Sequence, residues 1–265
     1  MDVTPTCAVA IPVYKEDMDT LEKKSFCQCV RVLGRRDLYL VTYPELDCSL
    51  YESIAEEAGV KLKKQLFDNM FFKDVAGYNR LMLDRQFYQA FATYTHLLIY
   101  QLDAYVFSDD LDYWCGQGYD YVGAPWFDGF GPAESGSLYT VGNGGFSLRR
   151  IAYFINLLTT RRGIFSYSNL PTDSGIITKL KFLAGGYNHI DSLIRRNTIN
   201  EDHFYCIVLK DSKFPPILPS PQEAARFAFE QSPAYLYKLI GNRLPMGCHA
   251  FEKYEYHTFW LDKIN

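Results

Sequence analysis

Two carboxylates, one histidine and a glycine-rich turn carry the chemistry this chain could do. Asp103 closes the stretch THLLIYQLD, two residues beyond Gln101 and just past the apolar run Leu97, Leu98, Ile99 and Tyr100. Burying an unpaired carboxylate is costly or shifts its pKa. Asp103 therefore has a partner, sits at the mouth of its strand, or holds a cation. Hard cations such as Mg²⁺ and Mn²⁺ take oxygen ligands. Gln101, in the same motif, offers an oxygen but no charge. In NEDHFY, Glu201 and Asp202 follow Asn200 at the start of an expected helix. A carboxylate held there can take a proton from a hydroxyl, and an acid pair in a first turn also simply suits the helix dipole. His249, in PMGCHAF, ligates metals when neutral, or serves as a hydrogen-bonded structural residue. Cys248 and His249 alone do not make a zinc site.

Three further stretches supply shape more than reactivity. VGNGGFSLRR sets Gly142, Gly144 and Gly145 around Asn143. Glycines allow close backbone approach, so N–H groups there could face hydroxyls or phosphate. YDYVGAPW ends in small residues and Trp126, whose flat face suits a sugar ring or a core. AGYNRLML places Tyr78, Asn79 and Arg80 at the start of a helix, within reach of a diphosphate, base or ribose, or on an exposed helix face.

The elements that must position these residues alternate. Strands are expected at 7–13, 37–42, 61–67, 96–100 and 119–122, and helices at 19–33, 50–58, 76–91, 111–116 and 151–159. This order implies an α/β, largely parallel sheet covered on both faces. Such sheets bind ligands beyond the carboxyl ends of their strands, so Tyr14, Tyr43 and Asp103 should share one rim. The stretch 161–200 reads as a loop-rich cover with one helix near 176–183. Asn200 should cap an element over 201–209, and 221–230 should be helical.

The chain has 265 residues, 48% hydrophobic, with 21 tyrosines and 19 phenylalanines, enough for one sizeable core. Net charge is −4 with dispersed lysines and arginines, which argues against nucleic acid as a partner. No apolar run approaches the ~20 residues needed to span a bilayer, leaving only peripheral attachment open. The amino-terminal stretch has no signal-peptide character. Seven scattered cysteines suggest reduced thiols and a cytoplasmic setting.

In order, AIPVYKED, GYNRLML, IYQLDAYVF, YDYVGAPW, VGNGGFSLR, NEDHFY and GCHAF resemble a bacterial family catalogued as a domain of unknown function, itself similar to GT-A-fold glycosyltransferases that use nucleotide sugars. The resemblance runs from about residue 9 to 251. It implies one GT-A-like (Rossmann-like) domain over 1–265, a mixed, mostly parallel sheet flanked by helices. Its nucleotide half would lie at about 1–115 and its acceptor and catalytic half at about 116–265. It implies a nucleotide-sugar donor and a glycan or other hydroxyl acceptor, as in polysaccharide biosynthesis. It also implies Asp202 as base beside Glu201, and Mn²⁺ or Mg²⁺ at Asp103 and His249. Pro12, Val13, Tyr14, Asn79, Arg80, Gln101 and Asp103 would meet the nucleotide. Trp126, Asn143, Gly144 and Gly145 would meet the sugar or acceptor. The motif order implies inversion at the anomeric carbon. A retaining transferase, a hydrolase using Asp103 and Asp202, and a non-catalytic glycan- or nucleotide-binding module stay open as alternatives.

Overall fold

The computed structural model describes residues 4–130, 137–166 and 187–264. Its centre is a six-stranded sheet of β1 (Cys7–Pro12), β2 (Asp37–Thr42), β3 (Lys63–Leu66), β4 (His96–Tyr100), β9 (Phe146–Arg150) and β6 (Tyr121–Val122), in the order β3-β2-β1-β4-β9-β6. The first four strands are mutually parallel, while β9 runs antiparallel to both β4 and β6. The fold is thus mixed α/β with a mostly parallel sheet, as the alternating elements imply.

Side chains alternate across each strand, and the core splits accordingly. Val9, Ile11, Leu98 and Tyr100 face one apolar layer with Phe26, Val30 and Leu33 of helix α1 (Thr20–Leu33) and Tyr51 of helix α2 (Ser49–Glu57). Ala8, Ala10, Leu97 and Ile99 face the other, with Leu81 and Met82 of helix α3 (Val75–Met82), Phe87 and Tyr88 of helix α4 (Arg85–Ala90), and Phe154. Burial on both faces is why these strands read as unbroken apolar runs. Asp19 opens α1 with a capping box: its Oδ1 accepts the Leu21 and Glu22 N–H groups, and Glu22 Oε2 accepts its own N–H at 2.8 Å.

Several boundaries differ from the sequence expectation. The single helix over 76–91 is two, because the Asp84 carboxylate accepts the Gln86 N–H at 2.8 Å and starts a new helix. Apolar periodicity runs through that break and hides it. The helix expected over 221–230 stops at Phe227 and gives way to β10 (Ala228–Phe229). A helix, Ile190–Arg196, occupies part of the expected loop-rich cover, held by the buried Ile190. The helix expected near 176–183 lies outside the described residues.

Two small sheets complete the frame. β5 (Ala104–Val106) pairs antiparallel with β11 (Gly247–His249), which also takes β10 in parallel. β7 (Pro125–Phe127) pairs with β8 (Leu138–Val141). Among the described residues no helix is long and apolar enough to cross a membrane. All seven cysteines are free thiols.

Candidate active site

Strand register brings the distant motifs together. β4 ends at Tyr100, opposite Phe146 at the start of β9. The 142–145 turn therefore lies beside the end of β4, and the Gln101 N–H donates to the Gly145 carbonyl at 2.8 Å. On the other side His249 of β11 is paired with Ala104, the residue after Asp103. The acid and the histidine, 146 positions apart, become neighbours through backbone pairing.

These residues line one crevice of about 660 Å³, a volume within the range of small-molecule sites. Asp103 Oδ1 is 3.1 Å from His249 Nε2, and Gln101 Oε1 is 3.2 Å from the same nitrogen. The other ring nitrogen, Nδ1, is 3.1 Å from Glu230 Oε1, and Lys253 Nζ is 3.5 Å from Asp103 Oδ2. Burial works to raise the Asp103 carboxyl, but the His249 and Lys253 charges outweigh it and hold the group at about 2. Burial works to lower His249, but Asp103 and Glu230 lift it to about 10.

The same crevice is lined by the acid pair. Glu201 and Asp202 open the six-residue helix Glu201–Cys206. Asn200 stands at its N-cap without using its side chain. Asn79 does that work from α3, its Oδ1 accepting the Glu201 N–H at 2.8 Å and its Nδ2 donating to Asn200 Oδ1 at 3.3 Å. Asp202 Oδ2 accepts the Gly144 N–H at 3.1 Å, and Oδ1 accepts the His203 N–H at 2.8 Å. Burial opposes ionisation of Asp202, yet the His203 hydrogen bonds prevail and keep its carboxyl below its ordinary value.

Glu201 behaves differently. It is 2% exposed and paired at 2.8 Å with the fully buried Arg149. Burial lifts its carboxyl to about 7 despite the Arg149 charge. Arg149 also donates to the Tyr88 hydroxyl at 2.9 Å and to Ser147 Oγ at 3.1 Å. One buried guanidinium thus joins β9, α4 and the acid helix. Removing one partner of such a pair costs about 3–5 kcal/mol.

The glycines of the 142–145 turn are required by these neighbours. A Cβ at Gly145 would overlap His249 Nε2, and one at Gly144 would overlap Glu201 Oε1. Asn143, between its glycines, adopts the left-handed region with φ 68°, a conformation asparagine tolerates better than most residues.

The nucleotide and sugar expectations divide. Pro12, Tyr14, Asn79, Gln101, Asp103, Asn143, Gly144 and Gly145 line the crevice, with Glu201, Asp202 and His249. Val13 does not: it is 1% exposed in the core, its N–H donating to the Val41 carbonyl at 3.0 Å. Arg80 is exposed on α3 and absent from the crevice wall, because one helical step turns it away from Asn79. Trp126 is buried under Gly142, its ring 4.4 Å from that of His203, so it supports the turn from behind. Tyr43 packs on Phe72, itself a crevice residue, instead of lining the rim.

Glu230, Arg149 and Lys253 escaped the sequence reading. Glu230 does follow the short apolar run 227–229, a faint counterpart of Asp103 after its strand. Arg149 lay within a quoted motif, but nothing local reveals its burial.

Among the described residues no group of three or more His, Cys, Asp or Glu side chains could hold a metal ion. Asp103 Oδ1 and Gln101 Oε1 lie 3.1 and 3.2 Å from His249 Nε2, so these three side chains satisfy one another. The Glu230 contact at Nδ1 is the kind of outer hydrogen bond that orients a ligating imidazole.

No curated protein matches the chain. Among solved structures it is similar to a glycosyltransferase involved in glycosylation of the major capsid of PBCV-1, at 10% identity and TM-score 0.39, covering 92% of this chain and 93% of that one. It is similar to mouse xyloside xylosyltransferase 1, at 11% identity and TM-score 0.48, covering 93% and 97%. It is also similar to the glycosyltransferase GlyE of Streptococcus pneumoniae TIGR4, at 13% identity and TM-score 0.48, covering 92% of this chain and 54% of that one. The family model described as "Protein of unknown function (DUF5672)" matches residues 61–249, and with most of its length inside that match the chain belongs to this family.

Proposed function

We propose that the protein transfers a sugar from a nucleotide-sugar donor to a hydroxyl of a glycan or other acceptor, with inversion. The observation that carries this reading is the shared crevice: the Asp103, Gln101 and His249 cluster lines it together with Asp202, which is held at the glycine turn.

Asp202 is the base. Its hydrogen bonds to Gly144 and His203 fix its direction, and those to His203 keep the carboxylate ionised against its burial. It accepts the proton of the acceptor hydroxyl as that oxygen bonds to the anomeric carbon. The bond from that carbon to the diphosphate oxygen breaks, and its electron pair leaves with the nucleoside diphosphate. Attack opposite the leaving group inverts the centre without a covalent sugar–protein intermediate.

Asp103, His249 and Gln101 would hold Mn²⁺ or Mg²⁺, with His249 giving up its proton to ligate. The cation supplies charge neutralisation for the departing diphosphate. Lys73 and Lys253 line the same crevice and add positive charge there. Pro12 and Tyr14 border the place for the base, with Tyr14 59% exposed at the rim.

One observation favours a second reading. Asp103 already has His249 and Lys253 as cationic partners, and Gln101 adds no charge, which suits a nucleotide- or glycan-binding module that does no chemistry. Incubation with a panel of nucleotide sugars and hydroxyl acceptors, with Mn²⁺ present, separates the two. The transferase releases nucleoside diphosphate and forms a glycoside whose anomeric configuration, read by NMR, is opposite to the donor's. Tight nucleotide-sugar binding without release contradicts the proposal, and a retained configuration removes Asp202 as base.

A further inference from the structure

The crevice lies where β1 and β4 end. Where they begin, two cysteines and a histidine meet, and the proposed transfer uses none of them. Cys7 opens β1, and Pro12 closes it at the crevice. About 16 Å of strand, at ~3.3 Å per residue, separates the two places. Cys7 is the register partner of His96 at the start of β4. Paired side chains share a face of the sheet. Here helix α5 (Leu111–Gly116) covers that face, its Leu111, Trp114 and Cys115 packing in the same layer as Cys7.

Hydrogen-bond directions set the chemistry of this cluster. The Thr95 hydroxyl gives its only hydrogen to the Thr6 carbonyl at 2.7 Å, so toward His96 Nδ1, 2.9 Å away, it can only accept. Nδ1 therefore carries a hydrogen, and Nε2 is the proton-accepting nitrogen of the neutral ring. Cys115 hydrogen-bonds both His96 and Cys7. With Nδ1 taken, Nε2 is the ring atom left for it. Arg36 donates to Asp112 of α5 at 2.6 Å and to Asp109 Oδ1 at 2.9 Å, and its charge acts on both thiols.

The two sulfurs differ in acidity. The hydrogen bond with Cys7, the His96 ring and the Arg36 charge overcome burial and hold the Cys115 thiol below its ordinary range. Burial pushes the Cys7 thiol well above it. The thiolate is the reactive form of cysteine, and a neighbouring thiol resolves an oxidised sulfur to a disulfide. Cys115 and Cys7 keep only 5% and 7% exposure, so the oxidant must be small.

We propose that Cys115 and Cys7 are an oxidation site that hydroperoxides close reversibly to a disulfide, with His96 as the base that readies Cys115. The Cys115 thiolate attacks one peroxide oxygen. The O–O bond breaks, a sulfenic acid forms, and hydroxide leaves, taking the imidazolium proton to become water. The Cys7 sulfur then attacks the sulfenic sulfur. The S–S bond forms, the S–O bond breaks, and the hydroxyl leaves as water with the Cys7 proton. Two thiols and one hydrogen peroxide give one disulfide and two waters. The bond ties β1 to α5 and closes a loop of about 110 residues, which restricts the unfolded chain. Nothing in this chemistry depends on the crevice.

The test treats the intact chain with hydrogen peroxide at neutral pH, stops it with catalase, unfolds it in N-ethylmaleimide, and maps peptides by mass spectrometry without reductant. A linked Cys7–Cys115 peptide, lost again with dithiothreitol, is expected, with Tm raised by about 5 °C or more. Cys7→Ser should stop at a Cys115 sulfenic acid, trapped by dimedone on unfolding. His96→Gln should slow linkage by about tenfold, toward the small thiolate fraction of an ordinary cysteine; an unchanged rate in that variant removes His96 as the base. Where either variant fails to fold, the wild-type peptide map alone decides. Recovery of Cys7 and Cys115 as alkylated thiols, after treatment that consumes the exposed Cys27, overturns the proposal. So does a linked protein that melts lower than the reduced one, since the fold would then not accommodate the bond.

Discussion

Asn79 caps a helix that is not its own. Its Oδ1 accepts the Glu201 N–H at 2.8 Å across 122 positions of sequence, while Asn200, in the N-cap place, leaves its side chain out of the cap. The acid pair is therefore aimed into the crevice by α3, which also carries Tyr78.

Asn79→Ala removes this cap. The expected loss is about 1 kcal/mol, as for other N-caps, or about 2–4 °C in Tm for a chain of this size. Transfer activity should fall further than stability, since Asp202 loses its aim. Thermal denaturation beside turnover under identical conditions checks both. A stable variant with full turnover would show that the cap is dispensable.

Glu230→Ala removes the outer partner of His249. The carboxylate at Nδ1 holds the ring with Nε2 toward Asp103. Losing an outer hydrogen bond of this type weakens metal sites by about 10–100-fold. Mn²⁺ titration in the presence of nucleoside diphosphate should show that loss, with circular dichroism unchanged. Equal Mn²⁺ affinity in both proteins would place the cation elsewhere.

Gly145→Ala puts a methyl group where His249 Nε2 and Gln101 Oε1 now lie. The neighbours must yield, and diphosphate affinity should fall by at least about tenfold, equivalent to 1.4 kcal/mol. Titration with UDP and GDP reads it. An unaltered affinity would mean that this end of the crevice does not hold the diphosphate.

The two acids differ in pH behaviour. A base works only when deprotonated, so activity falls below its pKa. Asp202 is held below the ordinary aspartate value of about 3.9, so the acid limb of kcat/KM should lie below about pH 4. Glu201 sits at about 7. A limb near pH 7 would hand the base role to Glu201.

Much of this architecture was legible from residue patterns because the physics is local. The run 97–100 reads as a strand because a parallel sheet buries both its faces, and Asp103 stands out by following it. Asp202 beside Glu201 is visible as a helix start. The misses share a cause as well. The strand that carries His249 has three residues, too short for any period to show. Glu230, Arg149 and the capping role of Asn79 depend on partners far away in sequence. Trp126 could face a ring or a core with equal chemistry, and only the packing under Gly142 decides. Asp84 is a capping residue inside an apolar period, where the cap won.

The most direct test replaces the proposed base. Asp202→Asn keeps the size of the side chain and an oxygen for the Gly144 N–H, and removes the proton acceptor. With a donor that the wild-type protein turns over, the variant should keep its fold and bind the nucleotide sugar, yet lose turnover by about 10²–10⁴-fold, the usual scale of a general base. Transfer at the wild-type rate by a folded Asp202→Asn protein would contradict the account.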